Sequence, residues 1–163
     1  MKIKGVDFPP ALLDALRDGR LVVFTWAGVS MGPPASLPSF RRLAEQVAKG
    51  TGKSIAKSET DDQFFGRLKE DSVKVHQRAA DILQLDKRES NALHQDLLRL
   101  FQETGPVRIV TTNFDCLFEQ AAEVEKLFEN KPKVFEAPTL PPDSRFEGIA
   151  RPMALSTNRR RWC

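Results

Sequence analysis

The spacing of apolar residues along the chain predicts helices and short strands in alternation. Four segments are predicted as helices, from apolar spacings of three and four or from helix-starting prolines: 11–16, 39–49, 89–103 and 116–128. Residues 21–25 are instead a continuous run of apolar and β-branched side chains, as in a strand buried on both faces of a parallel sheet. The β-branched run at 107–112 predicts a second strand.

A longer helical stretch separates these two strands. Residues 61–85 carry apolar side chains mostly three and four positions apart, and together with the helix at 89–103 they form a predicted helical insert at about 55–104. Phe64 and Phe65 are expected in its core. The strand–helix order before the insert repeats after it, which predicts an α/β, Rossmann-like fold with a parallel sheet.

The C-terminal part of the chain has weaker strand signals. Residues 133–135 and 146–150 are candidate strands, with a proline-rich loop at 137–142 between them. We therefore expect the Rossmann-like domain to occupy residues 1–150. An irregular tail follows at 151–163, with no helix or strand period and no histidine.

Composition narrows the class of protein. The 163 residues suffice for one domain, and 40% hydrophobic and 29% charged residues are ordinary for a globular protein. The net charge of +3 equals the three arginines at 159–161, so basic residues are not spread along a folded face and direct nucleic-acid binding is not expected. No run approaches the roughly 18 apolar residues of a membrane span, and no signal pattern is present at the N-terminus. We expect a cytoplasmic protein without a membrane partner.

Candidate chemistry lies just after the two main strands, at the sheet edge where ligands bind in open parallel sheets. The small side chains of Ala27, Gly28 and Ser30 would let backbone N–H groups approach a phosphate. Asn113 and Asp115 bring an amide and a carboxylate to the same crevice. Each signal has a plainer interpretation, since a small-residue turn also serves as a βα connection and either polar residue could cap the next helix.

Three motifs resemble the sirtuin superfamily. Its Gly-Ala-Gly-x-Ser loop corresponds to Trp-Ala-Gly-Val-Ser at 26–30, and its Gly-Ile/Leu-Pro-x-Phe/Trp-Arg segment to Ser-Leu-Pro-Ser-Phe-Arg at 36–41. Its Thr-Gln-Asn-x-Asp motif corresponds to Thr-Thr-Asn-Phe-Asp at 111–115. The resemblance covers about residues 20–150 and is nearer to the bacterial antiphage-defence branch, which hydrolyses NAD, than to the protein deacetylases.

This resemblance implies NAD as substrate or ligand. The residues it implies at the cofactor site are Ala27, Gly28, Ser30, Phe40, Arg41, Asn113 and Asp115. Asn113 is the implied catalytic residue, positioning an attacking water. A partner defence subunit or a homo-oligomer is also implied.

The chain departs from the family pattern at several points. Trp26 replaces a glycine and Thr112 the deacetylase glutamine, and the two cysteines form no C-x-x-C pair, so we expect no zinc site. An NAD-dependent deacylase and a non-catalytic nucleotide-binding module remain alternatives.

The family's catalytic histidine segment would follow Ile149, where none is found. Back-translation of residues 153–163 in a shifted frame permits a His-Gly string, so we hypothesise that a frameshift between about Ile149 and Met153 truncated a longer ancestor. Two histidines remain. His76 is expected to be solvated, and His94 is expected to be a packing or surface residue.

Overall fold

A computed structural model describes residues 2–3, 5–83, 87–103, 105–136 and 146–151. Its strands are β1 (Lys2–Ile3), β2 (Val6–Asp7), β3 (Val23–Thr25), β4 (Arg108–Thr111), β5 (Val134–Glu136) and β6 (Gly148–Arg151). Its α-helices are α1 (Pro10–Arg17), α2 (Phe40–Ala48), α3 (Asp61–Glu70), α4 (Val75–Leu83), α5 (Ala92–Arg99) and α6 (Leu117–Val124). A short 3₁₀ helix, Ala27–Ser30, follows β3.

The larger sheet confirms the predicted α/β class. Four strands of the described chain pair in the order β3-β4-β6-β5, and every pairing is parallel. Thr25 at the end of β3 lies opposite Thr111 at the end of β4. The loops that leave β3 and β4 therefore start side by side, as the sequence predicted. The β1–β2 hairpin, which was not predicted, is a separate antiparallel pair.

The prediction that residues 21–25 are buried on both faces is wrong. Strand β3 covers only three of these residues, and Phe24 is 67% exposed whereas Thr25 is 8% exposed. Val23 packs against the apolar cluster beneath the sheet. Side chains alternate between the two faces along a strand, so Phe24, between Val23 and Thr25, points to the opposite face. An edge position also leaves β3 one neighbour, β4, among the described strands.

The helical insert consists of separate short helices. The stretch predicted as helical over 61–85 divides into α3 and α4, because Ser72 takes a left-handed conformation with φ 62°. The Val73 N–H then donates to the Leu68 carbonyl at 3.0 Å and closes the end of α3. Helix α5 is shorter than predicted and begins after Asn91, whose side chain accepts from the backbone N–H groups of Leu93 and His94.

Buried apolar side chains form two clusters. The helical cluster joins α2, α3 and α4, and its larger members are Leu37, Leu43, Val47, Phe64, Leu68, Val75, Leu83 and Leu117. The sheet cluster joins α5 and α6 to the sheet, and its larger members are Val29, Leu98, Phe101, Val107, Ile109, Phe118 and Ile149. Phe64 is fully buried, and Phe65 packs against the same cluster, as expected for core residues.

Strand β6 extends one residue past the predicted strand at 146–150. Arg151, assigned to the irregular tail from the sequence, is the last residue of β6 and pairs with Glu136 in register. Its guanidinium is 2.9 Å from a Glu136 carboxylate oxygen and 3.5 Å from one of Glu119, which fixes the end of the strand. The rest of the predicted tail and the predicted loop at 137–142 lie outside the described residues.

Candidate functional site

The turn after β3 buries its last residue. Trp26 has an extended backbone, and the Val29 N–H donates to its carbonyl, which starts the 3₁₀ helix. This turn brings Ser30 to 1% exposure while Trp26 stays 67% exposed. Asn91 holds the turn in place from α5, because its Nδ2 donates to the Val29 carbonyl at 2.9 Å.

The loop after β4 is fixed by its own side chains. The Asn113 N–H donates to Thr111 Oγ1 at 3.1 Å, and the Leu117 N–H donates to Asp115 Oδ1 at 3.2 Å. This second bond closes a local turn before α6 and is not an N-cap bond, because the N-cap residue of α6 is Cys116, which has no side-chain capping bond. The plainer interpretation is therefore wrong for both Asn113 and Asp115, and the second carboxylate oxygen of Asp115 lies outside this turn.

Ser30 joins the two loops through its hydroxyl. Its Oγ lies 3.0 Å from Asp115 Oδ2, 3.0 Å from Asn113 Nδ2 and 3.1 Å from His94 Nε2. A hydroxyl has one proton, which it donates to the carboxylate, and it can accept from the two nitrogens. This assignment turns the Asn113 amide so that Nδ2 donates to Ser30, which leaves Oδ1 outside this contact.

His94 lies on the far side of this hydroxyl. The ring is fully buried, and its edge packs on Phe118 with ring centroids 4.8 Å apart. Burial lowers the pKa of His94, while the negative charge of Asp115 opposes that shift. His94 Nδ1 lies 3.2 Å from the Asn91 backbone nitrogen and 2.7 Å from Asn91 Oδ1, so both ring nitrogens are within hydrogen-bonding distance of polar groups.

The sequence predicts that His94 is a packing or surface residue. The structure shows packing, and it adds a polar role that was missed. The available signal was the spacing of Asn91 and His94, because a capping residue and a polar N3 residue together mark a capping box. That pattern predicts the start of the helix, but it does not predict the contact with Ser30, which is 64 positions away.

The joined loops form one wall of a cavity of about 510 Å³. Its lining residues are Trp26, Ala27, Ser30, Leu37, Pro38, Phe40, Leu43, Asp62, Leu83, Thr112, Asn113, Phe114 and Asp115. All three motifs singled out in the sequence contribute to this list.

Five of the seven predicted site residues line the cavity: Ala27, Ser30, Phe40, Asn113 and Asp115. Gly28 and Arg41 do not. Arg41 instead lies near two other side chains, with its guanidinium 2.8 Å from Asp61 and 3.7 Å from Glu45.

Several lining residues were not predicted. Asp62 and Leu83 come from α3 and α4, so the helical insert forms part of the site and is not only a spacer. Periodicity identified these helices without indicating which end of each would reach the sheet.

The described residues contain neither a helix that could span a membrane nor a metal-binding group of side chains. None of the described helices is long and apolar enough to cross a membrane. Within the same ranges, no group of three or more His, Cys, Asp or Glu side chains could hold a metal ion.

Comparison with known proteins gives one informative match. The chain is 36% identical over 131 residues to the uncharacterized protein y4cA of Sinorhizobium fredii. The match covers 74% of this chain and 11% of the relative, so the chain spans about a ninth of that protein's length. No protein-family model matches the chain, and no solved structure is significantly similar to it.

Proposed function

We propose that the chain binds NAD in this cavity, as a sirtuin-like domain, and hydrolyses the bond between nicotinamide and ribose. The observation that carries the proposal is the convergence of Ser30, Asn113 and Asp115 on one cavity from positions up to 85 residues apart. Cavities of this kind, largely apolar with a few convergent polar groups, are the usual form of small-molecule sites.

The proposed reaction needs little covalent chemistry from the protein. A water oxygen forms a bond to the anomeric carbon of the ribose while the bond from that carbon to the pyridinium nitrogen breaks. The bonding pair moves to the ring nitrogen, so neutral nicotinamide leaves, and the water gives up a proton to the solvent. Positioning the water and stabilising the positive charge on the ribose are the steps that a binding site can accelerate.

Asn113 and Asp115 suit these two tasks. The Asn113 amide is held by Ser30 through Nδ2, so Oδ1 can accept a hydrogen bond from the water or a ribose hydroxyl. Asp115 is 5% exposed and its carboxylate lies beside the same hydroxyl, so its charge supports a cationic ribose across a short, poorly solvated distance. The small side chain of Ala27, which lines the cavity, would let the backbone approach the rest of the dinucleotide.

The first test is the variant Asn113→Ala, measured as nicotinamide release from NAD by the purified chain. We expect a loss of about 100-fold or more, the usual effect of removing one preorganised polar contact to a transition state. Asn130→Ala is the matched control, since Asn130 is exposed and lies outside the cavity. An unchanged rate in Asn113→Ala would remove Asn113 from the mechanism.

A second candidate function is nucleotide binding without catalysis. Among the described lining residues, the titratable side chains are Asp62 and Asp115, and Asp115 already accepts from Ser30 and Leu117. The cavity therefore offers clearer groups for binding the nucleotide than for accepting the proton of the attacking water. Saturable NAD binding without nicotinamide release would favour this function.

The cellular setting of the proposed activity follows from the same resemblance. We propose a cytoplasmic bacterial defence protein, acting with a partner subunit or as a homo-oligomer. The tests are co-purification of the protein from its native host and comparison of phage sensitivity with and without the gene.

A further inference from the structure

The charged side chains that line the cavity are both acids. Among the described lining residues these are Asp62 and Asp115, and no lysine or arginine is present. Two nearby arginines pair with acids that do not line the cavity, Arg41 with Asp61 and Arg67 with Glu59, each at 2.8 Å, while Arg88 donates to the Leu83 carbonyl at 3.1 Å. The formal charge of the described lining residues is therefore negative.

The histidine nearest to this site does not cancel that negative charge. His94 is buried behind Ser30, and burial lowers its pKa, which favours the uncharged ring at neutral pH. The Asp115 carboxylate is met by a hydroxyl and a backbone N–H, which stabilise its negative charge without neutralising it.

The other residues that line the cavity also favour a positively charged ligand. Trp26, Phe40 and Phe114 present aromatic side chains, and Leu37, Leu43 and Leu83 are apolar. Aromatic faces attract cations, and low-dielectric walls concentrate the field of the carboxylates. A flat ring with a positive charge meets both features in one place.

We propose that this cavity selects a cationic heteroaromatic ring, an N-alkylated pyridinium, over a neutral ring of the same shape, and that Asp62 determines this selectivity. The inference rests on the proposed function, because it assigns the pyridinium half of the dinucleotide to the cavity. It also assigns a role to the helical insert, because Asp62 is in the first turn of α3, while its neighbour Asp61 pairs with Arg41.

The selectivity has a consequence for turnover. Cleavage converts the pyridinium cation into neutral nicotinamide, so the product loses the attraction that held the substrate ring. A cavity of this charge binds substrate more tightly than the released base.

The experiment compares two probes that differ in charge. Purified chain is titrated calorimetrically with nicotinamide and with the methylnicotinamide cation, in which a methyl group quaternises the ring nitrogen. We expect the cation to bind more tightly, and Asp62→Asn to reduce the ratio of the two affinities by roughly fivefold, as for one charge at a partly exposed site. Asp96→Asn, which removes an exposed acid on α5, should leave the ratio unchanged.

The outcomes separate this inference from the proposed function. Equal affinities, binding of neither probe at millimolar concentration, or an unchanged ratio in Asp62→Asn would overturn it. Preferential binding of the cation without any binding of NAD would support the selectivity while removing the proposed function. NAD binding with equal affinities for the two probes would do the reverse.

Discussion

At the scale of single residues, Ser30 shows how a weak sequence motif contributes to the candidate site. Its sequence neighbourhood indicates only a tight turn after a strand. In the folded chain the same hydroxyl contacts an amide, a carboxylate and an imidazole, each 3.0–3.1 Å away. Because the hydroxyl has one proton, which it donates to Asp115, its contact with Asn113 requires the amide nitrogen to face it.

His94 gives a residue-scale prediction on pH. Burial lowers the pKa of His94 below the ordinary value of 6.5, so the unfolded chain binds this proton more readily than the folded chain. The stability that depends on the neutral ring is complete above about pH 6.5 and falls as pH drops toward the folded pKa, by at most about 1.4 kcal/mol per pH unit. Chemical denaturation between about pH 5 and pH 7.5 measures it.

The matched variants for this prediction are His94→Gln and His76→Gln. Glutamine can still donate to Ser30 but does not titrate, so His94→Gln should show a smaller loss of stability on acidification than the wild-type chain. His76 is exposed, and its variant should behave like wild type. The variants are compared with the wild-type chain because burial also raises the pKa of Glu119, which gives the stability a second pH dependence of opposite sign.

At the scale of elements, Gly148 decides how β5 meets β6. Its φ of 150° is rarely adopted by other residues, and an added Cβ would overlap the backbone carbonyl of Lys133. That carbonyl accepts from the Ile149 N–H at 2.8 Å, so the overlap falls on the ladder between the two strands. The close approach of the strands therefore requires glycine here.

The element-scale prediction is that Gly148→Ala lowers the free energy of unfolding by roughly 2–4 kcal/mol, the combined cost of backbone strain and overpacking. Gly66→Ala is the control, because Gly66 lies in α3 with open space around it and should gain roughly 0.5–1 kcal/mol. Urea denaturation distinguishes the expected loss of stability in Gly148→Ala from the expected gain in Gly66→Ala. Equal effects would mean that the β5–β6 pairing does not need the close approach.

At the same scale, the limits of periodicity are visible in the helical insert. Apolar spacing identified the helical content of residues 61–85 but not the break at Ser72, where a serine takes the conformation usually left to glycine. Asp71 and Ser72 are residue types common in turns, but the apolar spacing continues past them from Leu68 to Val75. The break depends on α4 turning to pack against α2, which is a tertiary requirement.

At the scale of the whole molecule, the cavity lies where the two apolar clusters meet. Leu37, Leu43 and Leu83 belong to the helical cluster and line the cavity, while Ser30 follows Val29 of the sheet cluster. A ligand in the cavity would contact residues on both sides. Its binding energy would therefore stabilise the domain against unfolding.

The whole-molecule prediction concerns the melting temperature. NAD at 100 times its dissociation constant should add about 2.7 kcal/mol to the stability of the chain, which is visible as an upward shift in a thermal melt. The Asn113→Ala variant should lose most of this shift at the same concentration. A shift that is equal in both proteins would place the nucleotide elsewhere on the surface.

The sequence by itself determined the α/β class, the order of the main elements and the three segments from which the site is built. Those features are local, because strand and helix periods and turn residues are read within a few positions. Only the tertiary structure decided that Ser30 meets His94 and Asp115, that Arg41 pairs away from the cavity, and that Asp62 reaches it. These contacts join residues far apart in the chain, and their geometry depends on how the helical insert packs against the end of the sheet.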